Sequence, residues 1–338
     1  MTRLRPLTLA TSASIALALV VAVATSAGAG TDSDAKHAAR LVRDARHAAA
    51  DHDFTGEATV TWTTANGMHR ASVRVMNGDG ATAITASDGG EVIDEGRRTY
   101  LHDQLGWTGL VIEPSARKIP PPDHRWKLAT AGAATVAERR GTVVLATRSN
   151  GEPAQRLVVD DATGVLLARD VLGPKGSVQR SVRFTSIDLG EDSLTHVGVR
   201  GGMRSRKAEP LASAPDGYHA PSTLAGFQLV TRSRHPDGVL FFYSDGVFTA
   251  SVFEQQGDLD WSALPSGGSD SQLADTRTRT YNDPSGDVAV WEHDGLVLTC
   301  VTDAPSDVFA HMVGALASDE RSTAEQVVDF VLGPFGWG

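Results

Sequence analysis

A mainly β protein with an α+β second domain is predicted by three features of the sequence. Apolar residues recur with a period of two over most of the chain. Clusters of Gly, Asn, Asp and Pro punctuate these runs at short intervals. A polar, aperiodic stretch over 190–221 divides the pattern into two parts. The length of 338 residues fits two cores better than one, at roughly 100–200 residues per domain.

The chain opens on an export signal. Arg3 and Arg5 precede a ten-residue apolar run over 15–24, and Ala27-Gly28-Ala29 offers a small-residue cleavage site. Ten apolar residues fall short of the ~20 that span a bilayer. Residues 1–29 therefore read as a signal peptide, with a retained N-terminal anchor as the alternative, and the protein is expected outside the cytoplasm. No cysteine sits near the cleavage site, which excludes lipid attachment there.

The first domain is expected over 32–189. Residues 32–52 form a helix: Ala38, Leu41, Val42 and Ala45 follow the spacing of one buried face, and Asp34 can cap it. From Phe54 the period changes to two. Phe54, Gly56, Ala58, Val60 and Trp62 alternate with polar residues, and Asn66-Gly67 reads as a hairpin turn into Ala71, Val73 and Val75. Strand-like runs follow at 81–86, 91–94, 97–102 and 107–112. Pro120-Pro121-Pro122 breaks the meander, which resumes at 142–147, 154–160, 165–170 and 178–187. Roughly ten short strands at such spacing make a barrel, a half-barrel or a sandwich.

Residues 190–221 read as a linker, and 222–338 as the second domain. Strands are expected at 227–232 and 239–243, with a third through Phe248, Ala250 and Val252. A hairpin over 287–302 turns at Asp294-Gly295. A helix capped by Ser306 buries Phe309, Met312, Val313 and Leu316. Ser322-Thr323-Ala324-Glu325 is a capping box that opens a last helix through 332.

The formal net charge of −10 gives no support for binding phosphate or nucleic acid. No zinc-protease, nucleophile-elbow, phosphate-loop, EF-hand or CxxC motif is present. No catalytic residue, cofactor or metal is assigned, and the reading is of a non-enzyme. The one cysteine, Cys300, lies in an alternating strand and reads as a buried apolar residue. What remains is binding. Trp62, Val73, Val75, Tyr100 and Trp107 are the candidates for an apolar site on the first sheet, with a plain core as the alternative. In the second domain, Phe242 and Ser244 face one way and Phe241 and Tyr243 the other. Aromatics on both faces make Phe242, Tyr243, Ser244, Asp245 and Phe248 candidate partner contacts, unless the terminal helices cover them.

Three segments resemble the RseB/MucB family of envelope-stress regulators. They are Asp53-Phe54-Thr55-Gly56; the strand–turn–strand of Arg156, Leu157, Val158, Val159, Asp160, Asp161, Ala162, Thr163, Gly164 and on to Gly173; and Phe242-Tyr243-Ser244-Asp245-Gly246 running on to Phe253. Their order holds from about residue 36 to about 300. The resemblance implies a first domain like the carriers LolA and LolB, a curved antiparallel half-barrel sheet with a covering helix, and a smaller α+β regulatory domain. It implies binding to the extracytoplasmic segment of a membrane anti-sigma factor, shielding it from proteolysis until a lipid or apolar peptide ligand causes release. It transfers no catalytic residue. A lipid or lipoprotein carrier of the cell envelope is the alternative, but a carrier does not need the second domain.

Overall fold

The computed structural model describes residues 3–4, 32–78, 81–87, 90–94, 99–103, 106–110, 125–190, 209–218, 220–273, 276–283 and 286–317. The apolar run of the expected signal, the triple proline and the expected last helix lie outside the described residues. Among the described residues, no helix is long and apolar enough to cross a membrane. The fold is mainly β, with two large antiparallel sheets that do not close into a barrel. A two-residue strand, β1 (Arg3–Leu4), pairs in parallel with Asp258–Leu259.

Helix α1 (Asp32–Asp51) leads into the first sheet. Its strands are β2 (Phe54–Thr64), β3 (Gly67–Gly78), β4 (Ala81–Ala86), β5 (Glu91–Asp94), β6 (Thr99–Asp103), β7 (Gly106–Leu110), β8 (Trp126–Val136), β9 (Arg139–Arg148), β10 (Pro153–Asp160), β11 (Leu166–Leu172) and β12 (Val178–Asp188). They are ordered β7-β6-β5-β4-β3-β2-β12-β11-β10-β9-β8. The early hairpins and the late hairpins therefore meet at the β2–β12 pair, and among the described residues β7 and β8 are the edge strands. α1 lies on β8, β9 and β10. Its buried face is Ala35, Ala38, Ala39, Val42, Ala45 and Ala48. Small side chains let the helix axis approach these strands closely.

The second sheet begins earlier than expected. β13 (Glu209–Pro210) pairs with Ser233 and Arg234 of β15 (Phe227–His235), and Pro221 O accepts from Tyr243 Oη. The described later part of the expected linker thus belongs to this sheet. The remaining strands are β14 (Thr223–Leu224), β16 (Gly238–Ser244), β17 (Thr249–Gln256), β18 (Asp258–Leu259), β19 (Ser269–Leu273), β20 (Thr276–Asp283), β21 (Gly286–His293) and β22 (Leu296–Thr302). Helix α2 (Ser306–Ala317) buries Phe309, Met312, Val313 and Leu316, as its spacing predicts.

Turn chemistry was read well at one hairpin and one residue off at another. Asp294 (φ 49) and Gly295 (φ 74) join His293 to Leu296 in the left-handed turn that an Asp-Gly pair favours. In the first hairpin Thr64 pairs with Gly67, so the turn falls on Ala65-Asn66. Strands β8, β19 and β20 were not expected. β8 carries a register shift between Thr130 and Ala133 and consists largely of Ala, Thr and Gly, so its apolar alternation is weak.

Candidate functional site

The three segments that carry the resemblance all build turns or close contacts. Gly56 pairs with Ile187, and a Cβ there would meet Ser186 O at 2.5 Å and the Phe184 ring at 3.0 Å. Phe54 meets the same ring edge-on, at 6.0 Å. In the second segment, Asp160 Oδ1 accepts from the amides of Ala162 and Thr163 and from Thr163 Oγ1. Arg139 grips the same carboxylate at 2.8 and 2.9 Å. Burial opposes ionisation of Asp160, but these donors together outweigh it and hold the carboxyl below its ordinary range.

In the third segment, Ser244 Oγ donates to Phe248 O and accepts from Gly246 N. Asp245 Oδ1 accepts from the amides of Val247 and Phe248 at 2.9 and 2.7 Å. Asp245 is only 5% exposed. Burial pushes its carboxyl up to about 6, while those amides, the Arg125 charge and the Trp126 indole pull the other way. The indole nitrogen itself makes no hydrogen bond of ordinary geometry. Its influence is that of a nearby dipole.

Because the folded value lies above the ordinary carboxylate value of 3.8, the folded state holds this proton more tightly than the unfolded chain does. The resulting stabilisation is full below about pH 4 and is lost as pH rises through about 6. Its size is on the order of 3 kcal/mol. Asp245→Asn keeps the Oδ1 acceptor and removes the charge. In urea melts between about pH 4 and 7 it should flatten this slope and raise stability at pH 7. An unchanged slope would show that another group titrates.

The aromatic rim expected around this turn is absent. Phe242 is 7% exposed, Phe248 1%, and Tyr243 and Ser244 not at all. Both faces of β16 are covered. Phe241 and Tyr243 share one core cluster with Phe309, Met312 and Val313 of α2 and with Trp126 of the first sheet. Trp126 stacks edge-on against Phe248, with centroids 5.6 Å apart. α2 and Trp126 cover the face of Phe241 and Tyr243, and the low exposure of all five candidates leaves little surface for a partner in this conformation.

The candidate ligand residues divide. Residues paired across antiparallel strands point to the same face. One inner-face row runs Leu128–Ala146–Gln155–Val171–Arg180–Trp62–His69. The next runs Val144–Leu157–Arg169–Val182–Val60–Ala71. Val73 and Val75 continue this face along β3, but they are 1% and 0% exposed. Trp62 is half-buried and stacks on His69, with centroids 5.3 Å apart. The register sets Tyr100 in the row of Met76, Ala83 and Ile93, and Trp107 in the row of Arg74, Thr85, Glu91 and His102. These rows alternate with those of Val73 and Val75. Among the three candidates whose side chains are described, Trp62 is the one that meets solvent.

Three arginines on the inner face meet the second half, and sequence reasoning missed them. Arg148 makes a two-pronged contact with Asp307 at 3.0 and 3.2 Å. Arg169 binds Asp303 Oδ2, while Asp303 Oδ1 accepts from Thr249 N at 2.7 Å. Arg180 donates to the carbonyls of Asp303 and Ala304, and its Nη1 lies 3.4 Å from Asp287 Oδ2. Ser306 N donates to Gln179 Oε1, and Ser306 Oγ to Asp287. A signal was present in the sequence: Arg169 is in phase with Leu167 and Val171, and Arg180 with Val182 and Phe184. A charge on an otherwise apolar face needs a partner.

Among the described residues, no group of three His, Cys, Asp or Glu could hold a metal ion.

No protein-family model matches the chain, and no curated protein matches it. Solved structures resemble it at low identity. MucB is 20% identical over 83% of this chain and 97% of its own, with a TM-score of 0.48. The MucA/MucB complex of Pseudomonas aeruginosa is 19% identical over 82% of this chain and 96% of that one, with a TM-score of 0.45. A LolA superfamily protein from Nitrosomonas europaea is 8% identical over 80% of this chain and 96% of its own, with a TM-score of 0.22.

Proposed function

We propose that this chain is an extracytoplasmic regulator that binds and protects the extracytoplasmic segment of a membrane anti-sigma factor, and so tunes an envelope-stress sigma factor. The observation that carries this reading is the ordered set of three segments and where they fall in the fold. Asp53-Phe54-Thr55-Gly56 starts the first sheet, the Asp160 turn closes its second half, and the Ser244-Asp245-Gly246 turn sits in the second sheet. Each is fixed by a specific steric or hydrogen-bonding need, so a chain that keeps all three keeps the two-sheet plan of the RseB/MucB family. Export through the N-terminal signal places the protein where such a segment lies. The release ligand is a lipid or an apolar peptide on the inner face of the first sheet, beside Trp62. A carrier role is the weaker reading, because the second sheet packs into the same core as the first and leaves less of the inner face open for cargo.

The test is calorimetry with residues 30–338 and the soluble extracytoplasmic segment of a membrane anti-sigma protein from the same genome. Saturable binding at micromolar or tighter affinity is expected, about 8 kcal/mol or more. Heats indistinguishable from dilution would exclude this partner.

A further inference from the structure

The two halves meet through contacts of two kinds, and the two adjoin where Trp126 pairs with Arg148 across β8 and β9. On the β8 side the contact is apolar. Trp126 stacks on Phe248, and both lie in a core with Leu224 and Phe227. Arg125 also donates to Gly226 O, in the turn between β14 and β15. On the inner-face side the contact is ionic. Arg148, Arg169 and Arg180 hold Asp307, Asp303, Asp287 and the carbonyls at 303 and 304.

The ionic side is imperfectly satisfied. The Arg180 side chain is 5% exposed, and its Nε and Nη1 find no acceptor of hydrogen-bond geometry. Opening would return that guanidinium and three carboxylates to water, recovering the solvation that burial removed. The Trp126 side holds fewer such groups, Arg125 and the buried Asp245 among them, beside a larger apolar contact. A contact built this way separates first along its charged edge and pivots on the apolar one.

We infer that the corner from Thr302 to Asp307 is a removable plug on the inner face, latched by Arg148, Arg169 and Arg180. It covers the row Gln155–Val171–Arg180, next to the exposed part of Trp62, and so gates access to the apolar surface. The gating role rests on the proposal that this face takes an acyl chain or apolar peptide. The latch itself does not depend on that proposal.

The test uses thiol labelling of the full chain. Val171 is 4% exposed, and Val171→Cys is a small change. The native Cys300 is fully buried, and burial with the Asp287 charge pushes its thiol up to about 12. It therefore reports global unfolding. In Val171→Cys protein, residue 171 should label at least about tenfold faster when the latch is weakened by Asp303→Asn or by the milder Arg148→Ala. Cys300 should stay unlabelled. Unchanged labelling at 171, or equal rates at 171 and 300, would overturn the plug. The same variants are then tested for uptake of a fluorescent fatty acid. Parallel gains in labelling and uptake support gating of the ligand face. Faster labelling with no uptake in any variant leaves the plug standing and removes the acyl ligand.

Discussion

Asp303→Ala is expected to lower the free energy of unfolding by about 3–5 kcal/mol, a large share of what a protein of this size has to lose. The Asp303 and Arg169 side chains are 11% and 12% exposed. One carboxylate oxygen takes the guanidinium, and the other takes the Thr249 amide and hydroxyl at 2.7 and 3.2 Å. Removing the acid leaves a buried cation short of its counter-charge and a buried amide without its acceptor. Each carries a desolvation penalty that water cannot relieve. Removing the pair as a unit should cost less, because the penalty comes from the orphaned partner. The double variant Arg169→Met, Asp303→Ala should therefore recover part of the loss in a urea melt. A loss under about 1 kcal/mol for the single variant would mean that the pair is solvated and the contact between the halves is open in solution.

Tyr243→Ala is expected to cost a similar amount, about 3–5 kcal/mol, by leaving a large cavity in the core. Tyr243 is fully buried, and its hydroxyl donates to Pro221 O at 2.7 Å. Tyr243→Phe removes that bond alone and should cost about 1–2 kcal/mol, since a buried carbonyl loses its donor. Thermal melts of both variants separate structure from contact. If Tyr243→Ala melts like the wild type yet fails to bind the anti-sigma segment, the residue is a surface anchor after all and the second sheet opens before binding.

Period and turn residues made much of the fold legible. α1 was readable because Ala38, Leu41, Val42 and Ala45 recur at helical spacing. The β21–β22 hairpin was readable because Asp-Gly favours a left-handed pair. β8 was missed because small residues and a bulge erase its alternation. β20 was missed for another reason. Arg277 and Arg279 alternate with Thr276, Thr278 and Thr280, and neither set is apolar, although Thr278 is buried and Arg277 stacks on Trp261.

The site was less legible than the fold. Aromatic content pointed to Tyr243 and Phe248, but an aromatic pattern does not distinguish a rim from a core. Phe241 and Tyr243 lie on one face and Phe242 on the other, and all three are covered. The arginines that face inward were visible as charges in phase with apolar neighbours. Which acids they meet was not, because Asp303 and Asp307 lie more than 120 positions away in the chain. Long-range pairing of this kind is set by the packing of the two sheets, which one sequence does not specify.

Protection of the anti-sigma segment from cleavage is measured in a reconstituted membrane. The membrane anti-sigma protein proposed as the partner is embedded in vesicles with its extracytoplasmic segment outward and exposed to a protease that cleaves that segment. Added secreted chain, residues 30–338, should slow cleavage at least about tenfold at saturating concentration. Cleavage at the same rate with and without the folded wild-type chain would contradict the account.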